Sequence, residues 1–215
     1  MSWKKRVFEK FRLYAITDLR DEDPGIFKKV EAAYRGGADI VQLRSKMLPD
    51  AVLCRIGLRI RRIADRYRKL FFLNDRADLA LAVGADGVHV GQDDLPPQAV
   101  RKIAGKREIF VGLSTHSLSQ ALQGAREEVD YIGVGPIFET PTKPGYKPVG
   151  LGLIREVKRR VKIPFVCIGG IDQENVEEVL QAGARRVAVV RAVFGAQDVY
   201  QATKNLREGI ENYVE

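Results

Sequence analysis

Gly37-Ala38-Asp39-Ile40-Val41-Gln42-Leu43 recurs further along as Gly84-Ala85-Asp86-Gly87-Val88-His89-Val90, and the frame returns in altered form as Glu128-Val129-Asp130 and Gly183-Ala184-Arg185. Each copy ends a segment of helical period and opens a short run rich in β-branched residues. Glycine supplies the left-handed cap that closes the preceding helix, and the small alanine lets the chain enter the next strand closely. The copies lie roughly 45–55 residues apart, about two strand–helix units of a barrel whose alternate strands fill alternate layers.

Outward from these copies, strands are expected at Leu13–Thr17, Ile40–Leu43, Leu70–Leu73, Gly87–Val90, Ile109–Leu113, Tyr131–Ile137, Pro164–Ile168 and Arg186–Val190. Helical periodicity fills the intervals at Gly25–Arg35, Asp50–Arg68, Ala77–Ala82, Pro97–Ala104, Leu118–Glu127, Leu151–Arg160, Glu174–Gln181 and Val199–Tyr213. Strands that alternate with helices make a parallel sheet, and strands apolar on both faces require helical cover. The even spacing favours a closed barrel over a doubly wound sheet. The expected fold is α/β, a single (β/α)8 TIM barrel over residues 13–215 with a short N-terminal extension over residues 1–12.

At 215 residues the chain fits one domain with a sizeable core. No apolar run approaches a membrane span, and residues 1–12 lack the apolar stretch of a signal peptide, so a cytoplasmic location is expected. Cys54 and Cys167 form no metal or redox spacing and read as small buried hydrophobes. The net charge of +8 suits anionic ligands. Much of the excess falls at Arg55, Arg59, Arg61, Arg62, Arg66, Arg68 and Lys69, on one helix and just after it, without the interleaved aromatics of a single-strand binding surface.

In such barrels the active site gathers at the C-terminal strand ends. The second strand delivers Gln42, Arg44 and Lys46 at a spacing of two, on one face, apt for a diphosphate though equally compatible with a solvated strand end. Asp75 and Asp94 follow the third and fourth strands and suit one magnesium ion shared with substrate phosphate oxygens. Asp93 is the alternative ligand, and capping of the next helix is the alternative role for either carboxylate. His116 after the fifth strand is a candidate acid or base beside a helix start at Ser117, while His89 reads as a packed or hydrogen-bonded barrel residue. The segment Glu139 to Gly150 is long for a strand-to-helix loop and carries Thr140, Thr142 and Lys143, as a lid gripping phosphate would. Gly170 and the pair Val190-Arg191 end the seventh and eighth strands, the usual phosphate site of the fold.

The ordered set Val41-Gln42-Leu43-Arg44-Ser45-Lys46, Asn74-Asp75-Arg76, Gly87-Val88-His89-Val90-Gly91-Gln92-Asp93-Asp94 and Thr140-Pro141-Thr142-Lys143 resembles the thiamine phosphate synthase family, from Leu13 to about Arg207. The resemblance implies a transferase of thiamine biosynthesis that joins a hydroxymethylpyrimidine diphosphate to a thiazole phosphate, or its carboxylated form, and releases diphosphate. It implies that Gln42, Arg44, Lys46, Asn74 and Lys143 hold the pyrimidine diphosphate, that Asp75 and Asp94 hold Mg2+, and that Ser114 lies beside the reacting ring. Arg44, Lys46, Ser114 and Lys143 are then the catalytic set, and Thr140, Thr142, Gly170, Val190 and Arg191 line the thiazole-phosphate side. Arg191 stands where the family usually has serine. The partners implied are those small molecules, with neither nucleic acid nor membrane; monomer and homodimer stay open. The rival readings are a thiazole tautomerase with His116 as proton shuttle, another phosphate-binding barrel isomerase, and a barrel without catalysis that binds an anionic partner.

Overall fold

The computed structural model describes residues 2–142 and 145–214. Its strands are β1 (Leu13–Ile16), β2 (Ile40–Leu43), β3 (Leu70–Asn74), β4 (Gly87–Val90), β5 (Phe110–Thr115), β6 (Tyr131–Val134), β7 (Phe165–Ile168) and β8 (Val187–Val189). They pair in chain order, all parallel, and β8 returns to β1 to close the barrel. The helices are α1 (Trp3–Lys10), α2 (Ile26–Arg35), α3 (Asp50–Tyr67), α4 (Ala77–Ala82), α5 (Pro97–Ala104), α6 (Leu118–Gly124), α7 (Gly150–Arg160), α8 (Val176–Gln181), α9 (Arg191–Phe194) and α10 (Val199–Val214). Among the described residues no helix is long and apolar enough to cross a membrane.

The expected (β/α)8 barrel is the observed one, with several expected elements shortened at their ends and two helices added. The strand expected over Tyr131–Ile137 stops at Val134 because Pro136 has no N–H to give the ladder. Its neighbours still reach across: Gly135 N–H donates to Thr115 O at 3.2 Å and Ile137 N–H to Ile168 O at 2.9 Å. The helix expected to run to Glu127 ends at Gly124, and the one expected from Glu174 starts at Val176.

The aspartate of the repeated frame has a structural purpose at the barrel floor. Asp39 Oδ2 accepts from Leu13 N–H at 3.3 Å, Asp86 Oδ2 from Phe71 N–H at 2.9 Å, and Asp130 Oδ2 from Val111 N–H at 2.7 Å. Each copy thereby satisfies a donor on the strand just before the one it opens, β1, β3 or β5, which sheet closure would otherwise bury. A cation completes each contact: Lys69 and Arg207 on Asp39, Lys4 and Arg61 on Asp86, Arg101 on Asp130. The fourth copy has Arg185 in that place.

Two cores follow from strand alternation. One face of each strand packs against the helices, with Val41, Phe71, Val88, Val111 and Ile132 buried there. The other face fills the barrel with Tyr14, Ile40, Phe72, Tyr131 and Val166. Large rings on some strands are matched by glycine on the next, as a Cβ at Gly112 would stand 2.2 Å from the Tyr131 ring. The N-terminal extension belongs to this interior core. Its helix α1 starts at Ser2, whose Oγ accepts from Lys5 N–H at 3.3 Å, and brings Phe8 under the barrel. Phe8 stacks on Phe110 with ring centroids 4.0 Å apart, and Phe11 meets Tyr14 and Tyr131 edge-on. The lower end is closed by aromatic rings, so the interior opens at the strand C-termini.

Candidate active site at the strand ends

A cavity of about 490 Å³ occupies that open end. Its wall on the β2–β4 side carries Gln42, Arg44, Lys46, Asn74, Asp75 and Asp94, and β5 adds Ser114. Its wall on the β6–β8 side carries Thr140, Thr142, Gly170, Val190 and Arg191. All the described residues expected from sequence therefore meet in one place. Lys143 lies outside the described residues.

The end of β2 sets the first wall. Gln42 faces inward, and Arg44 and Lys46, just beyond the end of β2, line the same cavity. Arg44 is almost buried, with its N–H donating to Thr17 Oγ1 at 2.9 Å and its guanidinium ion-paired with Asp18. Lys46 Nζ lies 2.5 Å from Asp75 Oδ2. Asp75 adopts φ +58°, a left-handed conformation that aspartate tolerates better than most residues, and its N–H donates to His89 O at 2.8 Å. Asp94 Oδ2 accepts from Gly91 N–H at 2.7 Å.

Burial raises the Asp75 carboxyl above the ordinary carboxylate range; Lys46 opposes that shift and the adjacent Asp94 carboxylate reinforces it. Two carboxylates held together, partly desolvated and only partly balanced by Lys46, form a place that favours a cation. The capping alternative fails for both, since Arg76 and Pro96 stand at the N-cap positions of α4 and α5, and neither helix has a side-chain cap. Asp93 is exposed and off the cavity wall, so Asp94 is the better placed of the two. Hard oxygen donors, two in number, fit magnesium that completes its shell with phosphate oxygens and water. The described residues hold no cluster of three or more acidic, histidine or cysteine ligands that would enclose a metal without substrate.

On the second wall Thr142 N–H donates to Thr140 Oγ1 at 3.3 Å, which folds the start of the long loop over the cavity. Gly170 sits at φ +65°, where a Cβ would meet Glu139 O at 2.6 Å, so the loop and the β7 end pack backbone to backbone. Its carbonyl accepts from Asn175 Nδ2 at 2.8 Å. Val190 precedes the short helix α9, whose first residue is the exposed Arg191. The first N–H groups of a helix have no acceptor within it, which suits an anion.

Four further residues belong to the site and were not assigned to it from sequence. Asp18 holds Arg44. His89 lines the cavity, with Nε2 at 2.9 Å from Ser114 Oγ and Nδ1 at 2.9 Å from Tyr131 OH. Tyr131 OH donates to Tyr14 OH at 3.3 Å, and Gln42 Nε2 donates to the same oxygen at 2.6 Å. Inward parity on β4 was the available signal for His89, since Gly87 and His89 share one face. His116 lines the cavity too; its Nδ1 lies 2.5 Å from Gly135 O and its ring is 4.4 Å from that of Tyr146. Ser117 caps α6, as expected of a helix start.

Fold and site together define a closed α/β barrel with one polar cavity at its strand C-termini. The chain belongs to the thiamine monophosphate synthase family, whose sequence model matches residues 13–193. It is 46% identical over 203 residues to the thiamine-phosphate synthase of Pyrococcus horikoshii, covering 94% of this chain and 96% of that one. It is 47% identical over 204 residues to the thiamine-phosphate synthase of Thermus thermophilus, covering 92% and 96%. Among solved structures, the thiamine phosphate pyrophosphorylase of Pyrococcus furiosus superposes with a TM-score of 0.87 at 39% identity, over 96% of this chain and 98% of that one.

Proposed function

We propose that the protein is a thiamine-phosphate synthase, a transferase that condenses 4-amino-2-methyl-5-(diphosphooxymethyl)pyrimidine with a thiazole phosphate to give thiamine phosphate and diphosphate. The observation that carries the reading is the single cavity joining the Arg44, Lys46, Asp75 and Asp94 wall to the Gly170, Val190 and Arg191 wall. A reaction that brings a diphosphate ester and a monophosphate to one carbon centre needs two such anion sites facing each other.

The bond from the pyrimidine methylene carbon to the diphosphate oxygen breaks, with its electron pair leaving on diphosphate. The lone pair of the thiazole nitrogen forms the new carbon–nitrogen bond. The amino-substituted ring stabilises positive charge at the methylene, so bond breaking leads. Arg44 and Lys46 neutralise the departing diphosphate, and charge met by preorganised donors needs little reorganisation. Asp75 and Asp94 would hold magnesium, which supplies further positive charge to the same oxygens when bound. Ser114 orients the ring, while Thr140, Thr142, Gly170, Val190 and Arg191 anchor the thiazole phosphate so that its nitrogen points at the methylene. Lys143 is the lid residue assigned to the diphosphate. A lid over the reacting centre keeps water from the cation. A cytoplasmic location goes with substrates of this charge, which do not cross a bilayer unaided.

The experiment is to incubate the protein with both substrates, with and without magnesium, and to follow thiamine phosphate and diphosphate. Both products should appear in equal amounts and cease when the metal is chelated. Isomerisation of the thiazole carboxylate without coupling would replace this reading with a tautomerase that uses His116.

A further inference from the structure

Asn175 stands at the N-cap of α8, where asparagine ordinarily accepts from the first N–H groups of its own helix, yet it makes no such cap. Its side chain reaches back to the loop after β7: Nδ2 donates to Gly170 O at 2.8 Å, and Oδ1 accepts from Asp172 N–H at 3.0 Å. We infer that Asn175 is a positioning residue for the second wall, which turns the Gly170–Ile171 peptide so that its N–H is presented to the phosphate of the thiazole substrate. The inference rests on the synthase reading for the identity of that phosphate, and on the hydrogen bonds alone for the direction of the peptide.

In a planar trans peptide the C=O and the N–H point in opposite directions, so a carbonyl held from one side sends the following N–H to the other. Gly170 O is held by Asn175, and Ile171 N–H leaves on the far side, with Ile171 itself lining the cavity. The peptide before it is held in the same way. Gly169 O accepts from Phe138 N–H at 3.0 Å, which directs Gly170 N–H away from Phe138. No described residue accepts from either of these two N–H groups. Successive N–H groups on a turn make a concavity for an anion, and Gly170 at φ +65° supplies the left-handed step that such a turn needs.

Asn175 is fixed in this duty by its own partners. Both are backbone groups, one an acceptor and one a donor, so the amide sits only one way round. The capping work that Asn175 gives up passes to Asp172. Its Oδ1 accepts from Glu174 N–H at 2.9 Å and from Asn175 N–H at 3.3 Å, and its carbonyl accepts from Val176 N–H at 3.0 Å. A carboxylate on the cavity wall, which would repel a phosphate, is thereby engaged at the start of α8.

The test pairs Asn175→Ala and Asn175→Asp with steady-state kinetics on both substrates and with amide ¹H–¹⁵N spectra during titration with inorganic phosphate. Aspartate keeps the size and suits a helix start, but it cannot donate to Gly170 O, so a role confined to the helix would survive that change. In the unmodified protein the Ile171 amide signal should move as phosphate is added. In both variants KM for the thiazole phosphate should rise about tenfold or more, the worth of a hydrogen bond to a charged group. KM for the pyrimidine diphosphate and kcat should stay within about twofold. An Ile171 amide that ignores phosphate in the unmodified protein overturns the inference, whether or not the variants fold. So does an Asn175→Asp variant with unchanged kinetics, or an equal rise in both KM values. An Ile171 response to phosphate in an unmodified protein that couples nothing would instead remove the synthase reading and leave the role of Asn175 standing.

Discussion

Asp18 and Arg44 form an ion pair across the ends of β1 and β2, and Arg44 is buried while Asp18 keeps about a third of its side-chain surface, 30%, exposed. In the free protein Asp18 occupies the charge that a diphosphate would otherwise satisfy. Asp18→Asn leaves a buried guanidinium short of its counter-ion, and we expect a loss of about 1–3 kcal/mol in stability. Inorganic diphosphate should then raise Tm more in the variant than in the unmodified protein, because it restores the missing anion. A smaller shift in the variant would mean that Asp18 serves to aim Arg44 and not to balance it.

Asp75→Asn should separate stability from function. The folded Asp75 carboxyl is raised, so its ionised form is disfavoured by the fold. Replacing it by neutral asparagine, which also accepts left-handed backbone, should leave Tm at neutral pH unchanged or higher while coupling activity collapses. The sign of the pH dependence follows. A raised folded pKa gives stability that is fully present below the ordinary value of 3.8 and lost as pH rises through the folded value. Thermal melts of the two proteins should accordingly show the unmodified one gaining on the variant as pH falls through that window. A difference that is flat with pH would contradict the assigned shift.

Phe8→Ala removes the ring that stacks on Phe110 at 4.0 Å beneath the barrel. A buried phenylalanine cut to alanine costs about 3–5 kcal/mol. Chemical denaturation should show that loss, with kcat at low temperature nearly intact, because the ring is on the far side of Tyr14 and Tyr131 from the rim. A selective fall in kcat at full folding would place α1 in the catalytic machinery instead.

Arg191→Ser should change KM for the thiazole phosphate by several-fold more than KM for the pyrimidine diphosphate, since Arg191 lies on the second wall. Equal effects on both substrates, or none, would remove Arg191 from the phosphate anchor.

The fold was legible because its signal is periodic and local: a helix stop, a small residue and a β-branched run, repeated. The rim residues were legible for a related reason, as a spacing of two from the inward Gln42 brings Arg44 and Lys46 to the same cavity. What escaped depends on contacts distant in sequence. Tyr131 and Tyr14 are separated by 117 positions, and nothing in either segment announces the other. Helix α1 mixes charges with one useful phenylalanine, and its place is decided by the cavity it fills; α9, with four residues, is too short to show a period. Four of the five arginines of α3 are accounted for within the fold. Arg55 pairs with Glu22, Arg66 with Glu31 and Arg61 with Asp86, while Arg59 lies 3.9 Å over the Phe27 ring. Surface charge there is an element of helix packing and gives no reason to invoke a polyanion.

The aromatic rings contributed by α1 make the barrel a cup with one mouth. Two ligands in a cup face each other across one mouth, and not at separate doors. Both must enter before that mouth is covered, and neither departs until it is cleared. The route of traffic is thus written into the floor of the molecule, at the end opposite to the chemistry.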